Sequence, residues 1–233
     1  MKKIFFSIAL VSATVAFAQK KEIAAAVKAI DAGDVAATNS QIAAAEAVMG
    51  GKTYLVEPAV LEQYYYAKGL ALLKSGKNAE GAAYLAKMSE LGKEKIYTGK
   101  DSSKTKVYYV GKAAADQSGI QGLKEDTYVP VLTSRIGNTI NPLIEAANKT
   151  AMNAYTAKNY AAAAPKFKEV YDLLKAGGQD NKQYLYYSGL NYALAEKKDE
   201  AIDVYNQLID SGYTGVSTTY FAKNKKSGEV EPL

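Results

Sequence analysis

Internal repetition constrains this chain more than any other feature. The run Tyr64-Tyr65-Tyr66-Ala67-Lys68-Gly69-Leu70-Ala71-Leu72 returns 120 residues later as Tyr184-Leu185-Tyr186-Tyr187-Ser188-Gly189-Leu190-Asn191-Tyr192. Both copies hold a Gly inside a helical pattern, and both run into a polar turn, Ser75-Gly76-Lys77-Asn78 and Glu196-Lys197-Lys198-Asp199. A second helix then opens over Glu80 to Leu85 in one copy and Glu200 to Tyr205 in the other. Upstream, Ala29-Ile30-Asp31-Ala32-Gly33-Asp34-Val35-Ala36 parallels Ala154-Tyr155-Thr156-Ala157-Lys158-Asn159-Tyr160-Ala161 at an offset of 125, and Ile42 matches Phe167 in that register. A single helix pair cannot bury its own apolar face, so stacked neighbours must supply the core.

The segments that follow the helices also agree. Tyr97-Thr98-Gly99 and Tyr213-Thr214-Gly215 each precede a strand-prone run, Val107 to Val110 and Thr218 to Phe221, and Ser118-Gly119 and Ser227-Gly228 close them. Two modules of roughly a hundred residues, related by duplication, account for the whole pattern. Apolar spacing predicts helices at 21–32, 35–49, 59–74 and 79–91 in the first module, and at 140–157, 160–175, 182–196 and 199–210 in the second. Asp34, Asn159 and Asp199 stand where N-caps belong, and Gly50-Gly51 and Gly177-Gly178 where helices stop. The expected fold is all-α: about eight helices in four antiparallel pairs, with hairpin-like extensions at 93–119 and 212–233. The expected division is a leader over 1–18, a first module with its extension over 19–119, a linker over 120–139 containing Pro130, and a second module over 140–233.

Composition then removes chemistries. The 233 residues include no Cys and no His, so zinc, copper and iron–sulfur sites lose their usual ligands. Ser-His-Asp and Cys-His nucleophile systems cannot be built, and no internal disulfide can form. No catalytic residue, metal or cofactor is expected. Of the 29 basic residues Arg135 is the only Arg; phosphate and base recognition favour the guanidinium fork, so nucleic acid is not an expected partner. A solvated, Lys-rich surface is.

Residues 1–18 have the form of a secretory signal peptide: basic Lys2 and Lys3, an apolar run from Ile4 to Val15, and Ala16-Phe17-Ala18 before the cleavage point. The run falls short of the roughly 20 residues a membrane span needs, and no Cys follows it for acylation. Cleavage would start the mature chain at Gln19 and, with Lys2 and Lys3 gone, lower the formal charge from +5 to +3. The expected product is exported and has no integral membrane segment, with the periplasm favoured over the cell surface or the medium because no C-terminal sorting domain is evident.

A helix with an internal small residue, a tight polar turn, and a second helix with Ala four residues before a large side chain resembles the tetratricopeptide repeat. Tyr65, Gly69, Leu72, Gly76 and Leu85 fill its positions in one repeat, and Leu185, Gly189, Tyr192, Ala201 and Tyr205 in another. Ala151, Ala154, Tyr160, Ala163 and Phe167 give a third, and Ala26, Ala29, Gly33, Val35 and Ile42 a degenerate fourth. The resemblance implies a solenoid in which Gly69 and Gly189 admit the second helix of a pair closely. It also implies a concave groove lined by the first helices. The leader, the Lys bias and the Tyr-Thr-Gly tails resemble exported repeat proteins of Bacteroidota-type bacteria. The groove face would carry Gln63, Tyr66, Leu70, Glu145, Asn148, Tyr155, Gln183, Tyr186 and Leu190. The basic clamp by which some of these repeats hold a C-terminal carboxylate has no counterpart among them.

Tyrosine is over-represented, 19 against 5 Phe, and suits interfaces because a rigid apolar ring carries a hydrogen-bonding tip. Tyr66, Tyr155 and Tyr186 are therefore read either as peptide-binding residues or as repeat packing; Tyr65, Tyr160, Tyr192 and Tyr205 are read as packing. Carboxylate pairs are the one enzymatic option left, since a glycosidase needs two across a sugar, and Asp199/Glu200/Asp203 and Glu125/Asp126 are clusters. The first complements a helix N-terminus, and the second lies in the linker. Met49-Gly50-Gly51-Lys52 lacks the rest of a phosphate-binding loop. Asn148-Lys149-Thr150 is a formal glycosylation sequon inside a predicted helix and is read as chance, and Lys223/Lys225/Lys226 is read as a solubilising tail in preference to a contact for an anionic surface or lipid. Three functions are carried forward: a non-catalytic scaffold binding another envelope protein or peptide, a structural protein self-associating through its repeat ends or through edge strands at Val107–Val110 and Thr219–Phe221, and a carbohydrate-binding or carbohydrate-acting protein.

Overall fold

The computed structural model describes residues 19–216, 221–223 and 230–232. Helices α1 (19–31), α2 (Val35–Met49), α3 (Pro58–Lys74) and α4 (Asn78–Glu90) are followed by strands β1 (Ile96–Lys100) and β2 (Lys106–Val110). Next come a short helix α5 (Lys112–Gln117), strand β3 (Lys124–Asp126) and a 3-10 turn at Thr133–Arg135. Helices α6 (Gly137–Thr156), α7 (Tyr160–Ala176), α8 (Lys182–Leu194) and α9 (Lys198–Asp210) precede β4 (Phe221–Lys223) and β5 (Val230–Pro232). The described chain is thus mostly helical. The expected leader, residues 218–220, Ser227-Gly228, Lys225 and Lys226 lie outside the described residues.

One turn closes four helix pairs. After α1 the N–H of Gly33 donates to the Ile30 carbonyl at 3.0 Å and that of Asp34 to Ala29 at 2.9 Å. The same two bonds recur from Gly76 and Lys77 to Leu73 and Leu72, from Lys158 and Asn159 to Tyr155 and Ala154, and from Glu196 and Lys197 to Ala193 and Tyr192, all between 2.8 and 3.0 Å. This closure satisfies orphan carbonyls by placing one residue in the left-handed region. Gly33 (φ 82°) and Gly76 (φ 77°) hold that place in the first copy, Lys158 (φ 58°) and Glu196 (φ 60°) in the second. Asp34 then caps α2 by accepting from the N–H of Ala37 at 2.9 Å, and Asn159 caps α7 by accepting from Ala162 at 3.2 Å. Lys77–Glu80 and Lys197–Glu200 ion pairs, at 3.7 and 3.6 Å, repeat across the copies as well.

Within the pairs the contacts also recur. A Cβ on Gly69 would come within 2.7 Å of Leu85, sixteen residues on, and one on Gly189 within 2.9 Å of Tyr205, again sixteen on. Only a residue without a side chain lets α3 meet α4, and α8 meet α9, at that distance. In the first pair Gly81 adds a second gap, for its Cβ would stand 2.8 Å from the Gly69 carbonyl; Ala201 occupies the matching place in α9.

The chain divides into two compact units: residues up to Thr150 with Glu169–Asn181, and Ala151–Lys168 with the chain from Lys182 on. The first has one core, in which Ile42, Leu61, Leu85 and Met88 meet Leu173 and Ala176. The second is centred on Ala151, Ala163 and Phe167, with Tyr184 and Tyr187 packed against them. These units differ from the modules that the repeat suggests, because α6 and α7 each contribute to both.

The extension after α4 is an antiparallel sheet in the order β2-β1-β3, with Tyr97 opposite both Tyr109 and Glu125. The strand-prone run Val107 to Val110 is β2. The Tyr-Thr-Gly motifs, however, part company. Tyr97–Gly99 lies in β1, and Tyr213–Gly215 in a turn after α9. Cross-strand partners on both sides of β1 make a strand of the first motif. The stretch 120–139, read as a linker, is structured: it holds β3, and Leu132 and Ile136 lie in the first core. Helix α6 starts at Gly137 rather than 140, taking Pro142 inside it, because buried Ile136 and Ile140 anchor its first turn. Helix α5 was not foreseen; it is a single short run after Gly111.

Glu196→Gly and Lys158→Gly are expected to stabilise the protein by about 0.5–1 kcal/mol each. A side chain in the left-handed region costs roughly 1–2 kcal/mol, which exceeds the extra backbone entropy that Gly loses in folding, about 0.5–1 kcal/mol. The readout is a raised urea midpoint at unchanged slope; Gly76→Ala should lower it.

Candidate interaction surface

Gln63, Tyr66 and Leu70 fall at i, i+3 and i+7 on α3, and Gln183, Tyr186 and Leu190 repeat them letter for letter on α8. Helical spacing places each trio along one stripe. The two stripes have opposite fates.

On α3 the stripe is covered. Tyr66 and Leu70 are 3% and 4% exposed, and Gln63 is half-buried. The Tyr66 hydroxyl donates to Asp31 Oδ1 at 2.8 Å, and the Arg135 guanidinium lies over its ring at 5.4 Å while donating to Asp31 Oδ2 at 2.7 Å. One turn earlier, Glu62 is 1% exposed. It accepts from the Tyr128 hydroxyl at 2.5 Å and from the backbone N–H of Leu132 at 2.6 Å. The chain's own residues 128–135 therefore run over α3, from Glu62 to Tyr66. This corrects the expectation that Tyr66 and Leu70 line an open groove: a buried acceptor at Glu62 needs donors, and the 120–139 stretch brings them.

On α8 the stripe is accessible. Tyr186 is 39% exposed, with its ring 6.2 Å from Tyr187 and 6.5 Å from Tyr213. Leu190 is half-buried, and the exposed Gln183 donates through Nε2 to the Tyr187 hydroxyl at 2.6 Å. Lys182 stands where α3 has Glu62, and Thr156 where α1 has Asp31, so neither carboxylate that gathers the covering segment has a counterpart. On α6, Tyr155 is 43% exposed with its ring 5.9 Å from Tyr160; Asn148 is half-buried and Glu145 exposed. Tyr155, Gln183, Tyr186 and Leu190 belong to the second unit, and Gln63, Tyr66, Leu70 and Asn148 to the first.

Sequence reasoning missed the polar groups that organise the first unit. Glu62 was readable as a carboxylate one turn before Tyr66 on an apolar column of α3. Glu46 was not. It accepts from Lys68 and, at 2.6 Å, from the Tyr64 hydroxyl, while Lys68 lies 4.5 Å from the Tyr84 ring centroid. Burial would raise the Glu46 carboxyl, but the hydrogen bonds from Lys68 and Tyr64 and the Lys68 charge hold it below its ordinary value. Burial, with the neighbouring Glu46 carboxylate, pushes the Tyr64 phenol up. Burial likewise raises Tyr65, beside Tyr84, and Tyr66, bonded to Asp31, each to about 12.

The acidic clusters occupy structural places. Asp199 and Glu200 lie in the first turn of α9. Glu125, on β3, accepts from Tyr97 at 3.3 Å and pairs with Lys95 at 3.3 Å. Among the described residues no three carboxylates gather as a metal site, and no helix is long and apolar enough to cross a membrane. No family model, curated protein or solved structure matches the chain.

Two stability profiles follow. Above the ordinary tyrosine value of about 10, the unfolded chain releases phenol protons that Tyr64, Tyr65 and Tyr66 keep in the fold. Their contribution is whole below that pH and is lost as pH rises toward the folded values, so phenolate absorbance of these residues should appear only with unfolding. Glu46 works the other way: its contribution is present above the ordinary carboxylate range and lost as pH falls through its lowered folded value. Glu46→Gln should flatten acid unfolding, measured by denaturant midpoints across pH. Tyr66→Ala should cost about 3–5 kcal/mol of stability, whereas Tyr186→Ala should cost less than about 1 kcal/mol, in line with exposed positions.

Proposed function

We propose that this protein is an exported, non-catalytic scaffold of tetratricopeptide type, stacked as a solenoid of helix pairs, whose α8 stripe holds a peptide segment of another envelope protein, with the periplasm as its compartment. One observation carries the reading. The stripe Gln-x-x-Tyr-x-x-x-Leu occurs twice, and in the first copy a loop and 3-10 turn of the same chain, from Tyr128 to Arg135, already lie over α3 at Glu62 and Tyr66. That covering segment is a template for what the exposed copy would take.

The template also states the chemistry. The covering loop offers a backbone N–H to one residue of the helix, as Leu132 does to Glu62, and a flat group to the Tyr below, as Arg135 does to Tyr66. Rigid tyrosine rings lose little side-chain entropy on binding and so supply contact area at low cost. Four recurrent turns and the close approaches at Gly69 and Gly189 support the repeat assignment. The signal-like leader supports export.

Affinity capture from an envelope extract is the test, with the bound proteins identified and titrated. One saturable partner should be retained by the parent protein and weakened at least about tenfold by Tyr186→Ala and by Leu190→Ala, a loss typical of residues central to an interface. Undiminished capture by both variants would remove the α8 stripe from the function.

A further inference from the structure

Helix α9 presents a second apolar stripe, whose central Tyr205 also packs on Gly189 of α8. Ile202 is 55% and Ile209 70% exposed, and half-buried Tyr205 lies on the stripe that joins them, while Ala201, Val204 and Leu208 are buried beneath. The apolar arc of α9 is thus wider than its own unit covers.

The duplication says what such a face receives. At the 120-residue offset Ile202, Tyr205 and Ile209 correspond to Ala82, Leu85 and Ser89 of α4, which are 1%, 0% and 8% exposed. That side of α4 meets the C-terminal part of α7: Ser89 donates to the Ala176 carbonyl at 3.0 Å and Asn78 to Glu169 at 2.6 Å, and Ala82 and Leu85 share a core cluster with Leu173 and Ala176, Leu85 packing also on Gly69 of α3. In the 125-residue register α7 corresponds to α2, with Glu169 at Ala44, Asp172 at Ala47 and Leu173 at Val48. On α2 those places are open: Ala44 and Ala47 are exposed and Val48 half-buried, and Ala36, Ser40 and Ala43 are exposed with them. Small side chains on α2 complement large ones on α9. Charge agrees, for Asp199, Asp203 and Asp210 rim the α9 stripe and exposed Lys21 and Lys28 lie on α1, the helix before α2.

We propose that the α9 face formed by Ile202, Tyr205 and Ile209 receives the α2 end of a second copy of this chain, joined head to tail. Two different surfaces meet in such a contact, so it propagates from copy to copy instead of stopping at a symmetric dimer. Its test is separate from that of the envelope partner proposed above, since Ile202 and Ile209 lie on α9 and outside the α8 stripe.

Sedimentation velocity of the purified protein, from micromolar to millimolar, tests this. The parent should show a mass that rises past dimer with concentration and falls with added salt, as screening weakens the Asp–Lys rim. Ile202→Asp with Ile209→Asp should weaken association at least about tenfold, and so should Ala44→Glu with Ala47→Glu. All four positions are exposed, and circular dichroism checks that the helices persist. Mixed in equal amounts, the two double variants should form a dimer and nothing larger, because each keeps one intact face. A parent that stays monomeric throughout overturns the proposal, even if the α9 face then binds a basic helix from another protein. Unchanged association of either double variant overturns it too, as does a mixture that fails to pair.

Discussion

The carboxyl group of Glu62 sits in the first core with 1% exposure, and its two oxygens are met by a phenol and a backbone N–H from residues more than sixty positions later. An acceptor buried without a partner costs about 1–3 kcal/mol, so this side chain obliges residues 128–132 to lie across α3. Once they do, Arg135 follows onto Asp31 and Tyr66, and Leu132 and Ile136 enter the core. The start of α6 is set by that route, since Ile136 is already in place when the helix begins. A single acidic residue on an apolar column thus governs the path of some twenty residues and closes one of two otherwise matching helix faces.

The matching stretches of the chain agree in construction while their faces differ in exposure. Their closing turns, the Asp34 and Asn159 caps and the contacts at Gly69 and Gly189 recur. The differences are Glu62 against Lys182, Asp31 against Thr156, and Ala82, Leu85 and Ser89 against Ile202, Tyr205 and Ile209. In the first copy these residues gather covering segments; in the second they leave two faces of α8 and α9 uncovered.

The helices were legible because their signals are local. Apolar period, Asp34 and Asn159 caps, and Gly turns lie within a few residues of what they determine, and all eight expected helices are present to within a few residues. The path of 120–139 was not legible, because Pro130 and a polar composition say only that a helix is absent; what orders the stretch is a hydrogen bond to a residue far upstream. The burial of Tyr66 failed for the same reason, since identical letters at Tyr66 and Tyr186 have different neighbours. The matching tails misled: Tyr-Thr-Gly becomes a strand at 97–99 because β2 and β3 flank it, and no motif encodes its neighbours. For the candidate surface, Gln183, Tyr186 and Leu190 were readable from repeat spacing, whereas the covering template on α3 was not.

Helices α6 and α7 each belong partly to one compact unit and partly to the other, the division falling after Thr150 and after Lys168. Proteins open locally and sub-globally in cooperative units of unequal stability. The second unit has the smaller core and holds both left-handed non-glycine turns between its helices. If it opens first, α6 would fray backward to Thr150 and α7 would lose its N-terminal half as far as Glu169, while the first unit kept the remainder of both. The partly opened molecule would then carry two shortened helices with free ends. Proteolytic nicking would concentrate in 151–168 and beyond 182, leaving residues 169–181 held in the first unit as a fragment severed from the chain on either side.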